Sequence, residues 1–582
     1  MNMKASIQNE PVSSAAALRK RYWWPLIMVL ALVAYLYGLG GFHIPKIGDE
    51  APYIQIVRLT AASGHWLPLK ALPGLENTKP PLLFWQGLLA TEQGTKWSLF
   101  RLRFPIVLYT FLTAGLVFLL ARRLAGDSEP GYLAALSFLG FFSTFQHGRP
   151  FLTNMPETLY SFLPIFLMLY RRDTPDSSRL PFWVASGLSF GMAFLYKSFA
   201  LVAPLSLALA WMCLARRHWA LKEFLRRDVP GITVAMLIGL AGFALWPLLD
   251  PDPKAVLNHF VWGQNVGKLS REHYFAELFI GSYTVFRIWL GNLANAGFLA
   301  LPLIILVVIA VRQRARLSAE EKALWIFVLS FTVFYTLPAQ RQENYLLPTV
   351  PALAVLLGVG WKSLPQKAFY VFAILPLLAV VSLLVITYSI SLRFLPTGYQ
   401  WWQLIIVLCA FVSVLVTLCW NRVAPHTFHL GVMLLFLSLS CALAPFHGPL
   451  GNYSSQTIAA LKDKTVYIPS NFRSRYERHR FLLPGVEIEG YDQRNKEEQQ
   501  RLLDAGAIVA VNRPFGEPMQ GQYDVFGSCL TMRTRHTNED ILNIFLHNQL
   551  DLLLQQEIIV RRANDQAPLN AKNSTPAPTA KE

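Results

Sequence analysis

The chain is written in long apolar runs broken by short polar clusters. A helix needs about 20 mostly apolar residues to cross roughly 30 Å of hydrocarbon, and about thirteen stretches reach or approach that length. They cover residues 23–41, 103–121, 130–147, 151–170, 181–196, 199–215, 230–249, 288–311, 323–338, 344–360, 367–389, 402–420 and 427–445. The polar clusters between them give the pattern a direction. Arg19-Lys20-Arg21, Arg122-Arg123, Arg171-Arg172, Arg216-Arg217 with Arg226-Arg227, Arg312 with Arg314 and Arg316, and Lys362 with Lys367 fall in alternate loops. Cytoplasmic loops carry an excess of Lys and Arg, so that side is expected to face the cytoplasm. The opposite loops carry single basic residues (Arg149, Lys197, Arg341, Arg393) and include the two long connections, 42–102 and 250–287. An odd number of crossings leaves everything after Pro445 outside, which in a bacterium is the periplasm.

Beyond residue 446 the period changes. Short apolar runs such as KTVYIP, GAIVAV and YDVFGSCLTM alternate with helical patterns such as RNKEEQQRLLDAG and EDILNIFLHNQLDLLLQQ, the signature of a small α/β domain. The expected organisation is a cytoplasmic N-terminus (1–22), a transmembrane domain (23–445), a periplasmic α/β domain (446–562) and a Pro/Ala-rich tail (563–582) with the composition of a disordered segment. The first apolar run is followed by no convincing small-residue cleavage site and reads as a retained helix. The fold class is therefore a polytopic α-helical membrane protein with a C-terminal α/β domain.

Composition agrees with this reading. Of the 582 residues, 53% are hydrophobic and only 15% charged, and the mean hydropathy is +0.36, too apolar for a string of soluble domains. The formal charge of +17 lies in the loop clusters, where it reports topology and contact with anionic membrane lipids. No basic stripe with a recognition motif is present, and nucleic acid is not expected as a partner. Four of the five cysteines lie in apolar runs and Cys529 stands alone in the polar C-terminal region, so neither a paired framework nor a CxxC metal spacing exists.

The chemistry-bearing residues gather in the outer loops. Asp49 and Glu50 open the first, and the spacing of Tyr53, Ile54, Ile56, Val57 and Leu59 predicts an amphipathic helix on the membrane surface. The acids can act as a base or a charge anchor, or simply complement the dipole at that helix's N-terminus. NTKPPLLFWQ returns the chain to the membrane with Lys79 at the interface, where a lysine either snorkels or receives an anionic head group. HGRPFLTNMPETLYSF sets Arg149, Asn154 and Glu157 at the head of a span, and Glu157 too can be a functional acid or a dipole cap. LNHFVWGQNVGKLSREHYF mixes Lys268 with His, Gln, Asn and aromatics, which suits a sugar and a phosphate or an interfacial aromatic belt. LPAQRQENYLLP carries Arg341 and Tyr345 to the outer end of another span.

This set of segments, from about residue 20 to 360, resembles the GT-C glycosyltransferases that use polyprenyl-phosphate sugars, and within them the bacterial aminoarabinose (lipid A) transferases, relatives of the protein O-mannosyltransferases. DEAPY keeps the Asp-Glu pair and Tyr53 of the family's first loop but has Pro52 for its arginine. HWLP and KPPLLFW with Lys79 match the Trp-Pro spacing and the Lys-Pro-Pro re-entry. TNMPET has Asn154 where the family has aspartate, with Glu157 one turn later. Lys268 stands for an arginine in VGKL, and Arg341 for a lysine in RQENYLLP.

The resemblance implies an inverting transfer of a sugar from an undecaprenyl-phosphate carrier to lipid A or another outer-leaflet acceptor, at a site facing the periplasm of the bacterial inner membrane. It implies Asp49, Glu50 and Glu157 as catalytic candidates, with Asp49 toward the reaction chamber and Glu50 orienting a neighbouring cation or backbone. Tyr53, Lys79, Asn154, Lys268, Arg341 and Tyr345 are the implied substrate-binding residues, with Lys79, Lys268 and Arg341 as the cations for the leaving phosphate. No cofactor is implied with certainty; a divalent metal is compatible with the family, but no strong ligand cluster is visible. The rival readings are a protein O-mannosyltransferase and, in another class, a lipid or sugar transporter, which would carry charges at mid-span in repeated halves.

Overall fold

The computed structural model describes residues 14–42, 49–72, 75–76, 79–171, 179–258, 260, 278–281, 283–394, 398–420, 422–470, 476–519, 521–533, 537–547 and 549–563. The tail from 564 onward and Lys268 lie outside them.

Each of the thirteen apolar stretches is helical. Among the described residues, eight helices are long and apolar enough to cross a membrane by length and composition, and Tyr22–Leu36 and Leu180–Tyr196 are shorter apolar helices. Several stretches are composite. Residues 130–147 form two helices, Ser128–Gly140 and Phe142–His147, separated by an extended Phe141. Residues 288–311 are assembled from Val285–Trp289, Gly291–Ala296, a 3-10 turn at Gly297–Leu299 and Ala300–Arg312. The joint at Gly297 has φ +57°, and a Cβ there would stand 2.5 Å from Cβ of Phe142. Only glycine satisfies both the left-handed backbone and the close approach, so the two breaks are fitted to each other.

Helix ends on the basic-loop side carry the expected signals. Leu99–Ala125 ends in Arg122 and Arg123 followed by Gly126 at φ +73°, cations and a left-handed residue where the dipole and the orphan carbonyls favour them. Ala319–Thr336 begins with a capping box between Ser318 and Glu321, which satisfies two orphan N–H groups at once. Between Leu180–Tyr196 and Val229–Leu249 the contact is made by small residues: a Cβ at Gly187 would stand 2.7 Å from the Ala235 carbonyl oxygen. Such close backbone approach is how helices gain packing energy in lipid, where no hydrophobic drive separates tail from side chain.

The outer loop 42–102 is structured. It holds the helix Glu50–Ser63, a hairpin of Lys70–Leu72 with Leu75–Glu76, and the helix Leu82–Ala90. The first helix does not lie free on the membrane surface as its amphipathic spacing suggests. Tyr53, Ile54, Ile56 and Val57 are buried against the helices below, and on its other side Arg58 pairs with Glu477 of the C-terminal domain at 2.6 Å. The loop is a layer between the membrane domain and the outer domain.

The C-terminal region is a five-stranded mixed sheet in the order Glu487–Gly490, Thr465–Ile468, Ile508–Pro514, Leu554–Arg562, Tyr523–Met532. The first three strands run parallel and the last two join antiparallel. The helical pattern expected to run from Glu539 to Gln556 stops at Leu546. Residues 554–562 form instead the strand that joins the other four into one sheet. Pairing on both sides of a β-branched run, EIIV, overrides the local helical period.

Candidate active site

Asp49 is the N-cap of the Glu50–Ser63 helix but makes no side-chain capping bond, and its side chain is exposed. Glu50, one residue on, is 1% exposed. Its Oε1 and Oε2 accept from Nε and Nη2 of Arg103 at 2.7 and 2.8 Å, and Oε1 also accepts from the Phe151 backbone N–H at 2.8 Å. Arg103 in turn donates from Nη1 to the Leu39 and Gly41 carbonyls at 2.7 and 2.6 Å. The planar guanidinium forks onto the carboxylate, so one buried ion pair ties together the end of the first helix, the start of Leu99–Ala125, the outer helix and the Phe151 turn. Glu50 is held as an anchor in the protein interior, and Asp49 stands free of that anchor at the surface of the same helix end.

Around Asp49 the other outer segments converge. Tyr53 Oη lies 3.5 Å from Asp49 Oδ2, and burial pushes the phenol well above its ordinary range, so it meets the carboxylate as a neutral donor. Lys79 Nζ sits over the Tyr53 ring at 4.6 Å from the centroid, a cation–π contact. Phe84 closes the ring's edge at 5.6 Å. Glu157, 4% exposed, pairs with Lys197 at 3.4 Å. Tyr335 and Tyr345 lie ring to ring at 5.2 Å. Asn154, on the helix that carries Glu157, is 5% exposed, and among the described residues its Nδ2 finds no hydrogen-bond partner. A buried amide left in that state costs free energy unless a bound molecule completes it. The structure thus joins Asp49, Tyr53 and Lys79 in one chain of contacts and Glu157 with Lys197 in another, with Asn154 on the Glu157 helix and Tyr345 against Tyr335.

Arg341 is placed differently. It is fully buried and donates from Nε and Nη1 to the carbonyls of Thr336 and Tyr283, both at 2.9 Å, so those two donors hold the turn before Tyr345 together. Two donors of the residue expected to face a phosphate are engaged with backbone, as a guanidinium withdrawn from water must find acceptors. Arg149 likewise turns inward, to the Tyr35 carbonyl and Ser440 Oγ, each at 3.1 Å, and to the Tyr37 carbonyl.

Three features were not singled out from the sequence. Lys197 was noted only as a lone outer-loop cation; its place directly after an apolar helix, FLYKSF, is the signal that could have marked it. Arg103 was counted as part of a span. Tyr109, Tyr196 and Gln86 form a hydrogen-bonded chain, with 2.9 Å between the two hydroxyls and 2.9 Å from Tyr196 Oη to Gln86 Oε1, and the Gln86 Nε2 has no partner among the described residues. Residues 86, 109 and 196 come from three helices, and nothing in their spacing joins them. Among the described residues, no group of three or more His, Cys, Asp or Glu side chains forms a metal-ligand set.

Comparison with known proteins follows the same lines. Residues 78–246 match the family model described as dolichyl-phosphate-mannose-protein mannosyltransferase. The chain is 28% identical over 352 residues to an undecaprenyl phosphate-alpha-4-amino-4-deoxy-L-arabinose arabinosyl transferase 2 of Pseudomonas fluorescens, covering 59% of this chain and 60% of that protein. The match thus spans less than two thirds of the relative. The crystal structures of ArnT from Cupriavidus metallidurans superpose with TM-scores of 0.60 in the apo state, at 19% identity over 84% of this chain and 93% of that one, and 0.59 bound to undecaprenyl phosphate, at 16% identity over 94% and 99%. The chain has the GT-C membrane fold with a sheet-containing C-terminal domain, and is related to the aminoarabinose transferases and the O-mannosyltransferases.

Proposed function

We propose that this chain, as a relative of the aminoarabinose transferases, is an inverting, polyprenyl-phosphate-sugar-dependent glycosyltransferase of the inner membrane. It moves 4-amino-4-deoxy-L-arabinose, or a similar pentose or amino sugar, from undecaprenyl phosphate to a phosphate of lipid A on the periplasmic side. The observations that carry the reading are an exposed carboxylate, Asp49, linked through Tyr53 to Lys79, and the Glu157–Lys197 ion pair that joins two further segments of the side expected to be outer.

In the reaction an acceptor oxygen forms a bond to the anomeric carbon as the bond from that carbon to the carrier's phosphate oxygen breaks, and the electron pair leaves with undecaprenyl phosphate. Charge develops on that oxygen, and fixed cations aimed at it lower the barrier. Lys79 and Lys197 are the described cations suited to this, and Lys268 belongs to the proposal from its position in the outer loop. A phosphate acceptor is already an anion near neutral pH, and Asp49 then orients it; a hydroxyl acceptor requires Asp49 as the base. Asn154 Nδ2, buried and without a partner among the described residues, offers a donor to a sugar hydroxyl. Glu157 holds Lys197 in position. A divalent ion, if used, would have Asp49 and Glu157 as its nearest acids among the proposed site residues.

The test is mass spectrometry of lipid A from cells with and without the chain, backed by transfer from synthetic undecaprenyl-phosphate aminoarabinose to lipid A by purified protein. Sugar found on membrane proteins, with lipid A unchanged, would establish instead the protein O-mannosyltransferase reading that the family match at residues 78–246 favours.

A further inference from the structure

A second feature lies away from the candidate active site. A cavity of about 930 Å³ runs among the helices Val202–Arg216, Ala300–Arg312 and Ala319–Thr336, and none of Asp49, Tyr53, Lys79, Glu157 or Lys197 lines it. The volume is at the upper end of the roughly 300–1,000 Å³ usual for ligand cavities. Its wall is apolar and open to lipid, with Val308, Val311 and Leu329 exposed at 42%, 66% and 39%. At one end stand three exposed cations, Arg216, Arg314 and Lys322, and no acid is among the lining residues. Among the described residues none of the three makes an ion pair, although Arg217, next in sequence, is held by Asp228 at 2.9 Å. The fold thus leaves the three cations at this end without an ion pair, while Glu321, in the same helix turn as Lys322, is engaged in its capping box. All three stand at helix ends or in the loop on the side that the charge pattern assigns to the cytoplasm, where the membrane surface is negative and basic pockets between helices hold anionic head groups.

We propose that this cavity binds a glycerophospholipid of the cytoplasmic leaflet with an anionic head group. Its phosphate is held by Arg216, Arg314 and Lys322, and an acyl chain lies along Val308, Val311 and Leu329. Charge complementarity selects the head group and the open apolar wall receives the chain. The site is on the opposite membrane face from the proposed transfer reaction and does not depend on it.

Native mass spectrometry of the full chain, titrated with dioleoyl phosphatidylglycerol and separately with dioleoyl phosphatidylcholine, tests this. Phosphatidylglycerol is expected to bind preferentially. R216A/R314A/K322A should weaken it roughly a hundredfold, about fivefold for each cation removed, and weaken phosphatidylcholine, whose phosphate is offset by its own choline, far less, so that the preference is lost. Val308→Trp, which fills the wall without touching the cations, should weaken both lipids. R122A/R123A, removing two basic residues elsewhere on the same face, should change neither. Equal binding of the two lipids, or a triple variant that keeps its preference for phosphatidylglycerol, would overturn the proposal. So would displacement of phosphatidylglycerol from the wild-type chain by undecaprenyl phosphate, which would assign the cavity to the carrier's tail.

Discussion

At the residue scale, neighbouring acids have opposite fates. Glu50 is enclosed with Arg103, while Asp49 is left exposed beside Tyr53 and Lys79. Asp49→Asn should therefore remove function without removing the fold. If Asp49 acts as a base or orienting anion, the variant should lose about 10²- to 10⁴-fold in transfer rate while its thermal unfolding in detergent stays near wild type; retained turnover would remove Asp49 from the mechanism. Lys79→Ala should act on the donor. Loss of a charge-assisted contact of about 1.5–3 kcal/mol raises the KM for undecaprenyl-phosphate sugar by roughly ten- to a hundredfold, and steady-state kinetics over donor concentration measures it. A KM unchanged from wild type would assign Lys79 to the Tyr53 ring alone.

Among the elements, the Glu50–Ser63 helix is fixed on two sides: by the buried Glu50 to Arg103 and by Arg58 to Glu477 of the C-terminal domain. Breaking a buried pair from one side strands a charge, which costs about 3–5 kcal/mol. Glu50→Gln and Arg103→Met should each lower the melting temperature and the folded yield, and the double variant should be less destabilised than the sum of the two. Additive effects in that double-mutant cycle would mean the pair does not act as a unit. The elements were also where sequence was most and least informative. Twenty-residue apolar runs are self-announcing because a bilayer demands them, and all thirteen are helical. Their breaks at Phe141 and Gly297 were not legible, since they arise from one helix fitting another. The strand Leu554–Arg562 was hidden because its partners lie at residues 508–514 and 523–532. Asp49, Tyr53 and Lys79 could be named from their loops, but Lys197 gains meaning only beside Glu157, and the hold of Arg341 on its own turn shows only once that turn is folded.

For the whole molecule, the C-terminal domain bears on the Glu50–Ser63 helix through the short helix Tyr476–Leu482. That helix gives Glu477 to Arg58 on one face and His479 to Glu557 on another, where Nε2 lies 2.9 and 3.1 Å from the carboxylate oxygens and Tyr453 Oη donates at 2.7 Å. Burial alone would raise the Glu557 carboxyl. The His479 ring, the Arg478 charge and the Tyr453 hydroxyl outweigh it and hold the group down at about 2, against an ordinary 4.5. A carboxyl depressed in the folded state binds fewer protons there than in the unfolded chain, so stability rises with pH between the two values. The contribution is complete above about pH 4.5 and is lost as pH falls toward 2. Hydrogen exchange in residues 476–482 and 554–562 should therefore accelerate over that window, and Glu557→Gln should flatten the dependence while lowering protection at neutral pH. Because the same helix grips Arg58, the Glu50–Ser63 helix should lose protection with it. Protection lost in the sheet but kept in that helix would show that the outer domain and the candidate site are coupled by contact without sharing a cooperative unit.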